Sequence, residues 1–253
     1  MKCKLCEEKD ELVESHIIPK LFFRPIMKSA GGVQTIDTEK RILFKHPKFQ
    51  SGIKHSLLCR ECEEKFSKLE DFLRKSFYGN APDNIKPLGF FYHPEHEHVW
   101  VKSVDTQKLL KLLYSILWRA SVSEHDFFSK VKIDNQLEED LRKILLEDEC
   151  EINFRLVETL VYTLKLEGDS LVNMVDIQSI NEDHRGNRKG YRFIFGGFMI
   201  QFYVAGDEFD ERFKILVAGS GSDVLYGAEI NSEEHINFME LAIQISELKN
   251  LKR

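Results

Sequence analysis

Apolar residues recur at helical spacing in four places along the chain. From Cys62 onward, Phe66, Leu69, Leu73 and Phe77 fall at i, i+3, i+7 and i+11 on one stripe. Residues 106–120 carry the strongest pattern, with Leu109, Leu112, Leu113, Ile116, Leu117 and Ala120 at 3.6-residue periodicity, and residues 136–147 repeat it with Leu137, Leu141, Ile144 and Leu145. The latter two helices are expected to pack together. After Cys150 the texture changes: 154–166, 171–180, 191–195, 198–204 and 213–217 are rich in branched and aromatic residues between turn signals and predict strands. Gly196-Gly197 suits a two-residue hairpin turn or a bulge within one long strand. Asn231 with Glu234 resembles a capping box that opens a last helix, on which Ile236, Met239 and Ile243 share a face.

The amino-terminal stretch is less periodic. A short strand at 11–14 leads into Ser15-His16, and Pro19 stops regular pairing. Leu21, Phe22, Phe23 and Ile26 form an apolar patch, Gly31-Gly32 marks a turn, and a second strand is expected at 41–44 before the Gly52 turn. Gly79 and Pro82 end this stretch, and residues 80–100, rich in Pro and His, read as a loop-like boundary. The expected organisation is α+β: a module over 1–80, then a second part over 100–253 of helices, an antiparallel sheet and a carboxy-terminal helix.

Charge sharpens this division. The net charge of −6 argues against a protein that coats nucleic acid, but residues 1–78 carry +4 and the remainder −10. A phosphate-bearing partner such as DNA is therefore expected on the amino-terminal module. The stretch 184–192, with Arg185, Arg188, Lys189 and Arg192, reads as a solvated hairpin tip or as a grip on a nucleic-acid backbone. Gly219 to Ser222 is Gly-rich, but no helical period follows it, so a turn is expected there and not a phosphate cradle. The longest near-apolar run, 193–200, is too short to span a bilayer, and the polar amino terminus has no targeting pattern. A cytoplasmic protein without a membrane partner is expected.

The candidate chemistry lies in the cysteines. Cys3 and Cys6, then Cys59 and Cys62, form two C-x-x-C pairs, each able to deliver two thiolates to one edge of a Zn²⁺ tetrahedron. A knuckle, a hairpin and a helix whose first turn supplies the last two thiolates make a treble-clef, a zinc-bound ββα module, and such a helix start also presents free N–H groups to an anion. Cys150 stands alone and reads as a core thiol. His93, His96 and His98 offer three imidazoles within six residues, a possible chelate, although Pro94 and the lack of a paired cluster favour a solvated connection. Trp118-Arg119 suits either a base-stacking contact or a core position, the apolar helix favouring the core.

C-x-x-C, then S-H-I-I-P at 15–19, then L-L-C-x-x-C-E at 57–63 resembles the HNH, or His-Me finger, endonucleases that carry a structural zinc. It also resembles a group of prokaryotic proteins with S-H-I-I-P near the start and S-I-L-W-R further on, matched here at 115–119. The resemblance implies hydrolysis of DNA phosphodiesters, in defence against foreign DNA, with His16 as the base that activates water and a catalytic Mg²⁺ or Mn²⁺ beside it. Imidazole suits that proton transfer near neutral pH, and a hard cation neutralises the developing charge. The chain departs from the pattern at three points. Ser15 stands where the family has Asp or His, the middle position falls near Lys54 with His55 one step out of register, and Glu63 occupies the last ligand position. A carboxylate there can hold Mg²⁺ or Mn²⁺. Glu14, His46, His55 and Glu70 are the side chains available to complete such a site. The alternative is a non-catalytic zinc module joined to a protein- or ligand-binding second part, with His16 a zinc ligand or a hydrogen-bonded core residue.

Overall fold

Strand-forming and helix-forming stretches alternate along the chain, and long-range pairing decides how they assemble. The computed structural model describes residues 1–23, 34–37, 42–45, 52–78, 91–93, 96–148, 151–166, 170–171, 175–180, 187–207, 214–220 and 223–231. In chain order these give β1 (Leu12–His16), β2 (Gln34–Asp37), β3 (Ile42–Lys45), β4 (Lys54–Cys59) and α1 (Arg60–Leu73), which widens into a π-helical turn at Arg74–Tyr78. Next come β5 (Phe91–His93), β6 (His96–Ser103), α2 (Thr106–Val122) and α3 (Asn135–Leu146). The strands β7 (Glu158–Leu166), β8 (Ser170–Leu171), β9 (Asp176–Ile180), β10 (Lys189–Phe195), β11 (Phe198–Ala205) and β12 (Val224–Asn231) complete the set. The molecule is of mixed α+β class. Among the described residues no helix is long and apolar enough to cross a membrane.

Helices α2 and α3 start on aspartate caps. Asp105 accepts a hydrogen bond from the Lys108 N–H, and Asp134 accepts from the Gln136 and Leu137 N–H groups, so orphan donors at the starts of α2 and α3 are satisfied. Almost every residue of α2 is buried, while α3 buries only Leu137, Leu141 and Leu145, the stripe turned to its neighbours. Helix α2 is thus the central element.

The main sheet runs β5-β6-β12-β7-β11-β10-β9, with β8 on the end of β7. All its pairs are antiparallel except β12 with β7, so the expected purely antiparallel sheet is corrected at that one pair. Strand β12 interrupts its pattern with Gly227, where a Cβ would stand 2.1 Å from the Trp100 ring. The glycine is what admits the indole, and it also weakens the sequence signal. Phe91–His93 and His96–Ser103 pair as β5 and β6, which corrects the loop expected over 80–100 from residue 91 onward, residues 80–90 lying outside the described residues: Trp100, flanked by Val99 and Val101, is fully buried and draws the segment into the sheet. His93 and His96 lie opposite each other in that pair. Residues 214–220 form turns joined to the sheet by a single bridge, Val217 to Leu160, not the strand expected there. The stretch 171–180 divides into β8 and β9. Gly196 and Gly197, both at positive φ, make the two-residue turn between β10 and β11, which decides between hairpin and bulge. The last helix, Cys150 and the Gly31-Gly32 turn lie outside the described residues.

The partner of β1 is β4, not the strand at 42–45, which pairs with β2. Strand β4 runs directly into α1, and α1 lies against both β1 and β4 and against α2. Phe22 packs on Phe195 at 4.5 Å between ring centroids, and Phe77 meets Phe198 edge-on at 5.8 Å. A Cβ on Gly196 would stand 2.3 Å from the Phe22 ring, so this turn has to be bare for the amino-terminal stretch to seat on the sheet. One hydrophobic cluster accordingly contains Leu5, Phe66, Leu113 and Phe193 together, with residues from both sides of 80–100. A second cluster, including Leu160, Tyr162, Ile194, Met199 and Tyr203, lies on the opposite face of the sheet.

This packing is testable, because both tryptophans, Trp100 and Trp118, lie outside residues 1–80. Phe22→Ala is expected to cost about 3–5 kcal/mol, and denaturant unfolding followed by tryptophan fluorescence should register that loss. An unchanged tryptophan transition would show that the two stretches fold separately.

Candidate functional site

The first C-x-x-C sits on a tight knuckle. The Glu7 N–H donates to the Cys3 carbonyl at 2.9 Å with Glu7 at φ 61°, and the Lys4 N–H donates to the Leu57 carbonyl of β4 at 2.9 Å. The second pair straddles the junction of β4 and α1: Cys59 is the helix N-cap and Cys62 lies in the first turn. These local geometries bring the sulfurs of Cys3, Cys6, Cys59 and Cys62 within 4.8 Å of one another, with Cys6 and Cys59 at 3.9 Å. A tetrahedral Zn–S₄ site with bonds of about 2.3 Å needs sulfurs about 3.8 Å apart, so the set fits such an ion. Among the described residues it is the one group of three or more His, Cys, Asp or Glu side chains whose ligand atoms converge.

Burial pushes the Cys59 and Cys62 thiols up. It also acts on Cys6, but the Glu8 and Lys9 backbone N–H groups and the neighbouring Cys3 and Cys62 thiols outweigh it and bring Cys6 down to about 7. Four crowded thiols resist becoming four thiolates together, and a bound cation supplies the charge that lets them ionise. The rim is held from outside. Lys9 pairs with Glu61, and Arg142 of α3 donates from Nη1 to the Leu5 carbonyl at 2.7 Å.

His16 ends β1. Its imidazole lies against Gly52, where a Cβ would be 3.0 Å from Cδ2 and 3.4 Å from Nε2, and Phe23 borders the same spot. In the β1–β4 register His16 faces Lys54, and Ser15 faces His55. Alternation along the strand therefore turns His16 to the face opposite Ser15 and His55. His55 Nδ1 is 3.1 Å from Ser123 Oγ at the end of α2. Glu63 lies on α1 one residue beyond Cys62, and its Oε2 is buried with no hydrogen-bond partner among the described residues; the same holds for Oγ of the fully buried Ser15. Glu63, Phe66 and Glu70 share one helical stripe.

Arg119 binds these parts together. Fully buried in α2, it donates from Nη1 to the His16 carbonyl and reaches Glu70 Oε1 from Nη1 and Nη2 at 3.3 and 3.4 Å. It also donates from Nε to the Ser115 carbonyl at 3.2 Å and stands 4.9 Å from the Phe66 ring centre. The S-I-L-W-R run is therefore a clamp on S-H-I-I-P: Arg119, braced by Ser115 one turn back, holds the backbone at His16. Trp118 is core, as the helix pattern implied. An arginine inside an otherwise apolar buried helix was the available sign of a fixed internal partner. Burial raises the Glu70 carboxyl, Arg119 draws it back down, and the Glu63 charge adds to the rise.

Of the basic stretch at 184–192, Arg185 lies outside the described residues, and residues 187–192 are held against the sheet. Arg188 is 1% exposed and pairs with Glu158 at 2.9 Å, and Arg192 is half-buried, which leaves Lys189 exposed among the described residues.

Purified protein should hold one metal ion per chain by elemental analysis, Cys62→Ser should lose it, and retention should weaken as pH falls because protons compete for the thiolates. Arg119→Leu leaves the Glu70 carboxylate without its ion pair and is expected to cost about 3–5 kcal/mol, most of it recovered in a double Arg119→Leu, Glu70→Leu variant. The Glu70 carboxyl is held above its ordinary value of 4.5, so the folded state binds its proton more readily than the unfolded state. That contribution is full below pH 4.5 and is lost as pH rises through the raised value, with a wider window in Arg119→Leu; denaturant unfolding across pH measures it.

No family model, curated protein or solved structure matches the chain, so its own residues carry the functional argument.

Proposed function

We propose that the chain is an HNH-like, metal-dependent endonuclease that hydrolyses DNA phosphodiesters, acting in the cytoplasm in defence against foreign DNA. β1, β4 and α1 are its ββα module, and a structural Zn²⁺ is held by Cys3, Cys6, Cys59 and Cys62. The observation that carries this reading is the placement of His16 at the end of β1, its backbone fixed by a buried arginine, beside a helix that begins at the second C-x-x-C.

In this reading the His16 imidazole takes a proton from the attacking water, and Arg119, through the His16 carbonyl, keeps β1 from shifting as substrate binds. Glu63, with one carboxylate oxygen unengaged among the described residues, is the side chain best suited to hold Mg²⁺ or Mn²⁺ together with substrate phosphate. The cation supplies charge neutralisation at the leaving oxygen. Glu70 is occupied by Arg119 and serves as its counter-charge. His55, turned toward Ser123, supports the hairpin from its other face.

A second reading, a zinc module that binds without cleaving, is favoured by one observation. Among the described residues the carboxylates do not converge into a cation site of their own.

Metal-stripped protein incubated with plasmid DNA and resupplied with Mg²⁺, Mn²⁺ or Ni²⁺ separates the readings. Nicking should appear with an added cation, and His16→Ala should lower turnover by about 10²–10⁴-fold with zinc content and melting temperature unchanged. Glu63→Ala should lose activity that higher cation concentration restores. Full nicking by His16→Ala refutes the catalytic assignment, and joint loss of zinc and stability in that variant makes His16 a structural residue.

A further inference from the structure

The four thiols of the cysteine cluster differ in what solvent can reach. Cys3, Cys59 and Cys62 are 1%, 2% and 4% exposed, whereas Cys6 is half-buried. An oxidant dissolved in water therefore meets one sulfur of the set first. Reactive cysteines sit in partly exposed settings beside cations, while fully buried ones are inert. Cys6 has such a setting. Arg142 holds the Leu5 carbonyl, one residue before it, at 2.7 Å, and the Lys9 ammonium lies within electrostatic reach of both Cys6 and Cys59.

The neighbours of Cys6 decide what its oxidation leads to. Cys59 Sγ stands 3.9 Å from Cys6 Sγ, so side-chain rotation has to close less than 2 Å to reach an S–S bond of about 2 Å. On its other side Cys59 Sγ lies 3.9 Å from Glu61 Oε2, and Glu61 is the partner of Lys9. The backbone already aligns the two segments, because the Lys4 N–H donates to the Leu57 carbonyl of β4 at 2.9 Å. A link between Cys6 and Cys59 spans 53 residues of sequence. It therefore restricts the unfolded chain far more than a link within either C-x-x-C, and exchange among neighbouring thiols favours the more stabilising bond.

We propose that Cys6 is a peroxide-reactive site, and that its oxidation closes a Cys6–Cys59 disulfide that replaces the metal in tying the knuckle to β4. The inference rests on the structural zinc of the function proposed above and not on the role of His16. The Cys6 thiolate attacks one oxygen of hydrogen peroxide, an S–O bond forms, the O–O bond breaks, and hydroxide leaves with the electron pair. The Cys59 thiolate then attacks the sulfur of the Cys6 sulfenic acid, forming the S–S bond and expelling a second hydroxide. The two sulfurs lose two electrons and the peroxide gains them, while both hydroxides take protons from solvent. Cys3 and Cys62 remain as ligands, and two thiolates do not complete the tetrahedron that a structural zinc needs.

The test uses the full-length, zinc-loaded chain. Its metal content is measured, hydrogen peroxide is titrated in, and released zinc is read with a chromogenic chelator. Mass spectrometry after dimedone trapping and alkylation maps the sulfurs. One zinc ion should leave per peroxide consumed, dimedone should mark Cys6 ahead of Cys3, Cys59 and Cys62, and peptides joined through Cys6 and Cys59 should accumulate. Dithiothreitol with added zinc should restore the starting state. The oxidised, zinc-free chain should melt roughly 5–10 °C above the reduced chain stripped by chelator, because the long loop stays closed. Cys6→Ser removes a ligand together with the reactive thiol, so the assignment is read on the parent chain. Absence of zinc before any peroxide is added refutes the metal reading and this proposal together. Zinc that is present but retained under peroxide refutes this proposal alone. So does first marking of Cys3, Cys59 or Cys62, a disulfide within either C-x-x-C in place of the expected one, or zinc loss that ends in sulfinic acid.

Discussion

The buried guanidinium of Arg119 is the constraint on which the amino-terminal half depends. Removing a full charge from water costs several kcal/mol even after relaxation, and only good partners offset it. Arg119 finds them on three separate elements: the end of β1, the middle of α1, and its own helix one turn back. None of these can shift alone without leaving a donor or the Glu70 carboxylate unmet. A hydrophobic side chain at this position would fill the space and permit sliding, whereas the planar fork of arginine fixes direction as well as distance.

The four cysteines impose the complementary constraint at the other end of β4. Chain entropy opposes joining a knuckle at residue 3 to a helix that starts at residue 60, and the intervening insert makes that closure long. A metal–thiolate link would close it, and the Lys4-to-Leu57 backbone bond shows the two ends already in register. The hairpin is therefore held at both ends, by cysteines near Cys59 and by Arg119 near His16. Between those points lie Ser15, buried, and His55, turned to α2.

Much of this was legible in the chain, for reasons that differ by residue. The C-x-x-C pairs are short-range patterns with few alternative explanations, and the cysteines converge as the spacing implied. The helix at 106–120 announced itself because burial on all sides needs apolar residues throughout. What stayed hidden is long-range. That β1 would choose β4 over the nearer strand at 42–45 depends on the cysteines and on Arg119, neither of which enters a local pattern. Strand β12 was masked by Gly227, whose reason for being there is the Trp100 ring more than a hundred residues earlier. The histidines at 93–98 suggested solvent or metal, while the neighbouring Trp100 was the residue that determined the fold. Arg188 and Arg192 looked like a basic surface because charge in a sequence carries no sign of whether it is buried.

The strand order β5-β6-β12-β7-β11-β10-β9 has a consequence for how the protein comes into being. Among the described strands, the β5–β6 hairpin and the β7, β9, β10 and β11 group pair with each other only through β12, so they stay unjoined until residue 231 has left the ribosome. Each piece then offers an unpaired edge, β6 on one side and β7 on the other, in the middle of what will be the buried sheet. The nascent chain must protect those edges until β12 emerges. When β12 arrives, it inserts between two partly formed sheets, parallel to one and antiparallel to the other, and the interior of the molecule closes late.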